Sequence, residues 1–204
     1  MMVPRSVAVL EQGFDVVIEA TGHVEFGTRV CFDAIRNGTT TIIDHHASPS
    51  MRDGSLDLIE SAVREAGLRA SLCYEVSDRN VAGGGIAENE RFIKKIGKGD
   101  GQIAAMMGLH ASFTCSDATL EKCVSIAGEA GVGCHIHVAE DAADREDSLT
   151  KHKMPTVNRL DKFGLTGDKS IFVHCVHIDE AEMDVLAASR TAVVHNPESN
   201  MNNA

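Results

Sequence analysis

Val132-Gly133-Cys134-His135-Ile136-His137-Val138-Ala139-Glu140 is the stretch on which the fold of this chain turns. It follows Gly131, is short and carries β-branched and apolar residues, so Val132 to Val138 predicts a strand. Period-two geometry puts His135 and His137 on one face. Glu140, three residues beyond His137, can curl over the strand's end towards the same space. A neutral imidazole that holds a divalent metal, beside a carboxylate that moves a proton, is what metal-assisted hydrolysis requires. Two buried histidines hydrogen-bonded to backbone would leave the same H-x-H-x-x-E trace, and from this stretch alone both readings stand.

Outward from it, the chain alternates strand and helix. Upstream, Ile103 to His110 reads as a strand, and Ser116-Asp117 can cap a helix carrying Leu120, Val124 and Ala127 that stops at Gly131. Downstream come a helix over Met154 to Phe163 opened by Pro155, a strand over Ser170 to His177, a helix over Asp179 to Ser189 and a strand over Thr191 to His195. Nearer the N-terminus, Thr39 to Asp44 is a β-branched strand entered through Asn37-Gly38. Ser55 to Ala66 spaces Leu56, Ile59 and Val63 as a helix, Leu68 to Val76 reads as a strand, Gly83-Gly84-Gly85 as a loop and Ile86 to Ile96 as a helix.

Strands joined by helices imply a parallel sheet. A (β/α)₈ barrel and an open doubly wound sheet both fit the alternation, but His110, Glu140, His174 and His195 all fall at or just after strand ends, on different strands. In a barrel those ends converge on one mouth, whereas in an open sheet only those near the strand-order reversal meet. The expectation is therefore a parallel (β/α)₈ TIM-barrel-derived domain. At 204 residues it falls short of the roughly 250 such barrels usually take, and an incomplete barrel of about six of eight βα units is expected.

Nineteen Lys plus Arg against thirty Asp plus Glu give a formal charge of -11, and 43% hydrophobic with 24% charged residues excludes disorder and fibre. The acidic balance argues against nucleic acid as a partner. The one dense cationic spot, Arg91, Lys94, Lys95 and Lys98, reads as a solvated helix face. No apolar run reaches the roughly 18 to 20 residues of a membrane helix, no membrane association is expected, and the N-terminus lacks a cleavable apolar signal. A cytoplasmic chain is expected. Its six cysteines contain no C-x-x-C pair and mostly sit in apolar periodic stretches, which suits a reducing compartment. Ten histidines are the more unusual count, and the pairs His45/His46, His135/His137 and His174/His177 each lie in or at the end of a strand-like run. With Phe172-Val173-His174-Cys175-Val176-His177 and His195-Asn196-Pro197-Glu198-Ser199-Asn200 added to H-x-H-x-x-E, the metal reading gains over the structural one.

These stretches, in order, resemble the amidohydrolase superfamily in its branch of deaminases and chlorohydrolases acting on nitrogen heterocycles, nearest the aminohydrolases of the SsnA type. The residues that carry the resemblance are GTTTIIDHHASPS (Gly38 to Ser50), AGLRASLCYEVSDR (Ala66 to Arg79), IAENERFIKK (Ile86 to Lys95), GLHASFTCSD (Gly108 to Asp117), HIHVAE (His135 to Glu140), VHCVH (Val173 to His177) and HNPESN (His195 to Asn200). The resemblance implies that His137 is a metal-binding histidine and that Glu140 is the acid/base that takes a proton from water and delivers it to the leaving amine. It makes His174 the histidine that polarises the attacked centre or orients the hydroxide, and His110, His195 and Asn196 substrate contacts. The implied cofactor is a divalent metal, zinc or else iron, and the implied ligand a small nitrogen heterocycle. The family's first-strand H-x-H and last-strand Asp have no counterpart here, so the resemblance covers strands two to seven of eight. A homo-oligomer is expected, because an incomplete barrel leaves two strand edges open.

The segment before Gly38 is different. Phe14 to His23 (FDVVIEATGH) with a helix-like Val24 to Ile35 resembles the second half of a nicotinamide-binding Rossmann domain, without the G-x-G-x-x-G turn that cradles a phosphate, so no cofactor-binding residue is assigned. The expected organisation is an atypical N-terminal segment, 1–37, and an amidohydrolase-like barrel domain, 38–204. Asp44-His45-His46 also fits the Asp-His-His of manganese phosphoesterases, but the D-x-D pair those enzymes need is absent from the sequence. The function expected is hydrolytic deamination, or dechlorination, of a nitrogen heterocycle by metal-activated water. The alternative is a catalytically inactive barrel fragment that binds or oligomerises and turns over nothing.

Overall fold

Among the described residues every pairing between strands is parallel, as the repeated strand-helix alternation requires. The structure, a computed structural model, describes residues 16–18, 34–48, 50–79 and 81–203. These hold eight strands in two four-stranded sheets: β1 (Val16–Ile18), β2 (Thr41–His46), β3 (Arg69–Tyr74) and β4 (Ile103–Ala105), then β5 (Met107–Ala111), β6 (Cys134–Val138), β7 (Ile171–His174) and β8 (Ala192–Val194). Within each sheet the strands lie in simple sequence order. A doubly wound sheet needs a point where that order reverses, and neither sheet has one. Within each sheet the successive crossovers therefore step in one direction, as they do in a barrel.

The chain divides into two compact units. The first contains the described residues up to Glu75 with Ala87–Ala105, and the second Val76–Ile86 with the residues from Met106 onward. In the first unit, helix α1 (Ser55–Ala66) buries Leu56, Ile59 and Val63 and ends in a left-handed cap at Gly67, as its spacing predicts. Helix α2 (Ile86–Ile96) is pinned to the end of β3 by Asn89, whose Oδ1 accepts the Tyr74 N–H at 2.8 Å and whose Nδ2 donates to the Tyr74 carbonyl at 2.7 Å. The cationic face of α2 is tied into ion pairs: Arg91 with Glu88 and Asp57, Lys95 with Asp57 and Glu60, Lys94 with Glu90. It is a strut between two helices. His45 and His46 are buried in β2, with the His46 ring edge-on to Tyr74 at 5.8 Å.

The second unit interleaves β5 to β8 with α3 (Asp117–Ala130), α4 (Ala142–Asp147), α5 (Thr156–Phe163), α6 (Glu180–Ser189) and α7 (Pro197–Asn203). Ser116 accepts the Thr119 N–H as the cap of α3, and Asp179 and Glu182 form a reciprocal capping box on α6. All five residues of β6 are buried, which is the signature of a strand covered on both faces. Leu109, Ile136, Phe172, Leu120, Leu160 and Leu165 are fully buried around it, and each such side chain stabilises the unit by about 1.5–3 kcal/mol. β6 can lie this close to the start of β7 only because residue 133 is glycine: a Cβ there would fall 1.9 Å from the Lys169 carbonyl oxygen. The described cysteines are thiols in this packing, four buried and Cys175 partly so, and burial pushes Cys134 and Cys175 up to about 12.

Three sequence expectations need correction. Ile103 to His110 is not one strand: β4 ends at Ala105 and β5 begins at Met107, each pairing in a different sheet. A continuous apolar run cannot signal such a break, because apolarity reports burial and not strand pairing. HNPESN begins directly after the end of β8, as expected, but turns at once into a helix, with Pro197 at the first helical position, where its missing N–H costs nothing. The helix over Met154 to Phe163 begins at Thr156 rather than Met154, with Pro155 as its N-cap. The short helix α4 and the π-helical turn Ser148–His152 went unread. Within the Phe14 to His23 stretch, Val16–Ile18 is a strand. His23 and most of Val24 to Ile35 lie outside the described residues.

Candidate active site

The C-terminal ends of β5, β6 and β7 bring three histidines side by side. His110 occupies an irregularity in the β5–β6 ladder: Leu109 pairs with Ile136 and Ala111 with His137, so His110 is the extra residue of a bulge. A bulge turns the side chain and carbonyl away from the ladder. The carbonyl of His110 meets His137 Nδ1 at 2.9 Å, and the two rings stand edge to face with centroids 5.7 Å apart. The His174 ring follows at 5.5 Å from that of His137.

Each ring has a fixed proton position. A carbonyl oxygen can only accept, so His137 carries its proton on Nδ1, which leaves Nε2 as the basic nitrogen. The Thr114 hydroxyl donates to the Ala111 carbonyl at 3.0 Å and meets His110 Nδ1 at 2.8 Å. Its single proton being spent, it accepts from His110. The His174 Nδ1 lies 2.7 Å from the Asn200 side-chain oxygen, so the proton is again on Nδ1. The His174 Nε2 is buried without a hydrogen-bond partner and sits 3.4 Å from Glu140 Oε1, close enough for charge interaction but too poorly aligned for a hydrogen bond. Glu140 is itself held by the Ser199 hydroxyl, which donates to the same oxygen at 3.0 Å.

Backbone strain sets the aim of these groups. Ala139, immediately before Glu140, has φ 46°, and His174 and Cys175 have φ 74° and 52°. Side chains rarely adopt this left-handed region, and such residues persist only where surrounding contacts over-determine them. Here the contacts are explicit. The Cys175 N–H donates to Val173 O at 3.2 Å, closing a tight γ-turn around His174, and to Val138 O at 2.9 Å, while Val176 and His177 N–H both donate to the Ala139 carbonyl. The buried Asp144 carboxylate accepts the Ala139 N–H at 2.8 Å with one oxygen and the Phe113 N–H at 3.1 Å with the other. Burial pushes Asp144 up to about 6, against the pull of those two N–H donors. Buried Arg159 braces the turn after β5, donating to the Ser112 carbonyl at 2.5 Å and hydroxyl at 2.8 Å, the Cys115 carbonyl at 3.0 Å and Asp117 at 2.7 Å.

Of the residues expected at the site, His110, His137, Glu140 and His174 therefore stand together. His195 is joined through Asn200, whose Nδ2 lies 2.6 Å from its Nδ1. Asn196 contributes its carbonyl, which accepts the Asn200 N–H at 2.8 Å. His135 is buried on the same strand. Ser199, Asn200, Thr114 and Asp144 were missed as site residues. HNPESN held two of them in plain view, but only a helix following His195 brings Ser199 and Asn200 back over the strand ends.

The profile of the amidohydrolase family matches residues 12–204. The chain belongs to the amidohydrolase family. Among curated members, the 5-methylthioadenosine/S-adenosylhomocysteine deaminase of Pelotomaculum thermopropionicum is 36% identical over 186 residues, covering 87% of this chain and 40% of that protein. Among solved structures, a zinc-bound adenosine deaminase from Xanthomonas campestris superposes with TM-score 0.73 at 26% identity, over 88% of this chain and 41% of that one. Guanine deaminase from C. acetobutylicum, with guanine bound, superposes with TM-score 0.77 at 19% identity, over 89% of this chain and 46% of that one, a likeness of fold. The chain thus spans about two fifths of the length of the relatives it matches. Its parallel α/β fold is that of the amidohydrolase barrels. No described helix is long and apolar enough to cross a membrane.

Proposed function

We propose that this amidohydrolase chain carries part of the active centre of an aminohydrolase, one that hydrolytically removes an amino group from a nitrogen heterocycle. The names of its relatives point to adenine nucleosides as the substrate class, and chloride as leaving group would make the same attack a dechlorination. The observation that carries the reading is the facing pair His174 Nε2 and Glu140 Oε1 at 3.4 Å. With Nδ1 protonated, Nε2 bears a lone pair, and it meets a carboxylate oxygen. Two acceptors so placed are complementary to a proton or an electrophile that comes between them.

In the reaction, water adds to the ring carbon bearing the amine. Glu140 takes a proton from that water and returns it to the departing nitrogen, so that the C–N bond breaks with release of ammonia. His174, as imidazolium or as a hydrogen-bond partner of the attacked centre, offsets the charge that develops on it. His137 suits a metal: its Nδ1–H is spent on a backbone carbonyl, the usual arrangement of a metal-ligating histidine, and Nε2 is the donor atom it would offer. A divalent cation bound there, zinc in this proposal and iron as its alternative, would supply the charge that makes water nucleophilic near neutral pH. His137 supplies one of the three or four protein ligands a zinc site takes; the second reading, an inactive barrel fragment, holds if the others are wanting. His110, His195 and Asn196 are assigned to substrate.

Metal content by elemental analysis and ammonia release from adenine nucleosides test the proposal together. Wild-type protein is expected to hold a divalent metal, His137→Ala to lose both metal and turnover, and Glu140→Gln to keep metal while turnover falls by about 10²-fold or more. Full activity in Glu140→Gln would overturn the proton relay. Metal-free, inactive wild-type protein would establish the fragment reading.

A further inference from the structure

Helix α7 places two adjacent residues against two different members of the site. Ser199 donates to Glu140 Oε1 at 3.0 Å, while the Asn200 amide lies between two imidazoles, with Oδ1 2.7 Å from His174 Nδ1 and Nδ2 2.6 Å from His195 Nδ1. Asn200 is buried and His174 nearly completely so. A primary amide has an accepting end and a donating end. The accepting end needs a ring nitrogen that carries a proton, and the donating end needs one that does not. Neutral His174 and His195 must therefore hold opposite tautomers.

We infer that Asn200 is a tautomer lock, and that Ser199 and Asn200 are positioning residues through which one short helix sets the orientation of both Glu140 and His174. The inference rests on the roles proposed above for those two residues. With Asn200 Oδ1 towards His174, the His174 proton is held on Nδ1 and its Nε2 lone pair is kept towards Glu140. His195 is held with its proton on Nε2. The γ-turn at His174 fixes where the ring sits; the amide fixes which of its nitrogens is basic. Without the amide, His174 could place a proton on Nε2, donate it to Glu140 and close the gap that a reacting group would occupy.

Long-range ¹H–¹⁵N correlation spectra of the imidazole rings, recorded on the full chain at one neutral pH, read the tautomers directly. Wild-type protein is expected to show His174 protonated on Nδ1 and His195 on Nε2. Asn200→Asp keeps an acceptor towards His174 but removes the donor, so His174 should be unchanged and His195 should move its proton to Nδ1. Asn200→Leu removes both ends, and His174 should lose its single tautomer. The same tautomer on both rings of the wild type, or an unchanged His195 in Asn200→Asp, would overturn the lock, and neither result needs Asn200→Leu to fold. In the active enzyme, Asn200→Leu should lower kcat by about 10- to 100-fold with KM little changed, Asn200→Asp should lower it less, and Ser199→Thr should retain more kcat than Ser199→Ala. A confirmed tautomer pattern in protein without aminohydrolase activity would leave the lock standing and remove the proposed function. Activity with the reverse pattern at His174 would do the opposite.

Discussion

Replacing Arg159 with methionine should cost the second unit about 4 kcal/mol. Arg159 is 1% exposed, yet its anionic partner Asp117 has a half-exposed side chain. The salt bridge is therefore a minor contributor, of the order of 1 kcal/mol or less. The larger effect is on the backbone. The guanidinium satisfies the Ser112 and Cys115 carbonyls of the turn that carries Thr114, and Thr114 in turn holds His110. Methionine fills much of the same space but donates nothing. Two buried carbonyls lose their charged donor, at about 1–3 kcal/mol each, and this is the source of the estimate. For a chain of this size each kcal/mol lowers Tm by about 2–4 °C, so a fall of about 8–16 °C is expected in thermal melting, with urea unfolding giving a lower midpoint at unchanged slope. Asp117→Ala is the control and should cost less than about 1 kcal/mol. If Arg159→Met melted within 2 °C of wild type, by about the resolution of the assay, or if Asp117→Ala cost as much as Arg159→Met, the carbonyl argument would fail.

Gly133→Ala should be among the most damaging single-methyl additions in the protein, because its Cβ would lie 1.9 Å from Lys169 O and 2.2 Å from Lys169 C, both backbone atoms that cannot rotate away; a melting temperature like that of wild type would refute the close approach of β6 and β7. Asp144 gives a pH test. Its folded pKa of about 6 lies above the ordinary aspartate value of 3.8, so the folded chain holds the extra proton between those values and stability falls as pH rises through that window. The shift corresponds to about 3 kcal/mol. The unfolding free energy of wild type minus that of Asp144→Asn should decline by up to that amount between pH 4 and about pH 7 and be flat above, and a difference that does not change with pH would show that Asp144 is not desolvated in the folded chain.

Local chemistry was legible without a structure because it is written in nearest neighbours. The 3.6-residue spacing of Leu56, Ile59 and Val63, the Ser116 cap and the Asp179 start of α6 depend on contacts within one or two turns, and α1, α2 and α3 run where the pattern places them. The alternation of such elements determined a parallel sheet, and the period of a strand determined that His135 and His137 share a face. The tertiary structure decided what depends on partners distant in sequence. It split an unbroken apolar run into β4 and β5, since strand pairing is chosen by neighbouring strands and not by hydrophobicity. It put His110 in a bulge, turned His174 through a left-handed γ-turn, and folded Pro197–Asn203 back so that Ser199 reaches Glu140 across 59 residues of sequence. It also fixed the imidazole tautomers, because a ring's composition leaves its proton free to sit on either nitrogen and only the group placed opposite, a carbonyl, a hydroxyl or an amide, selects one.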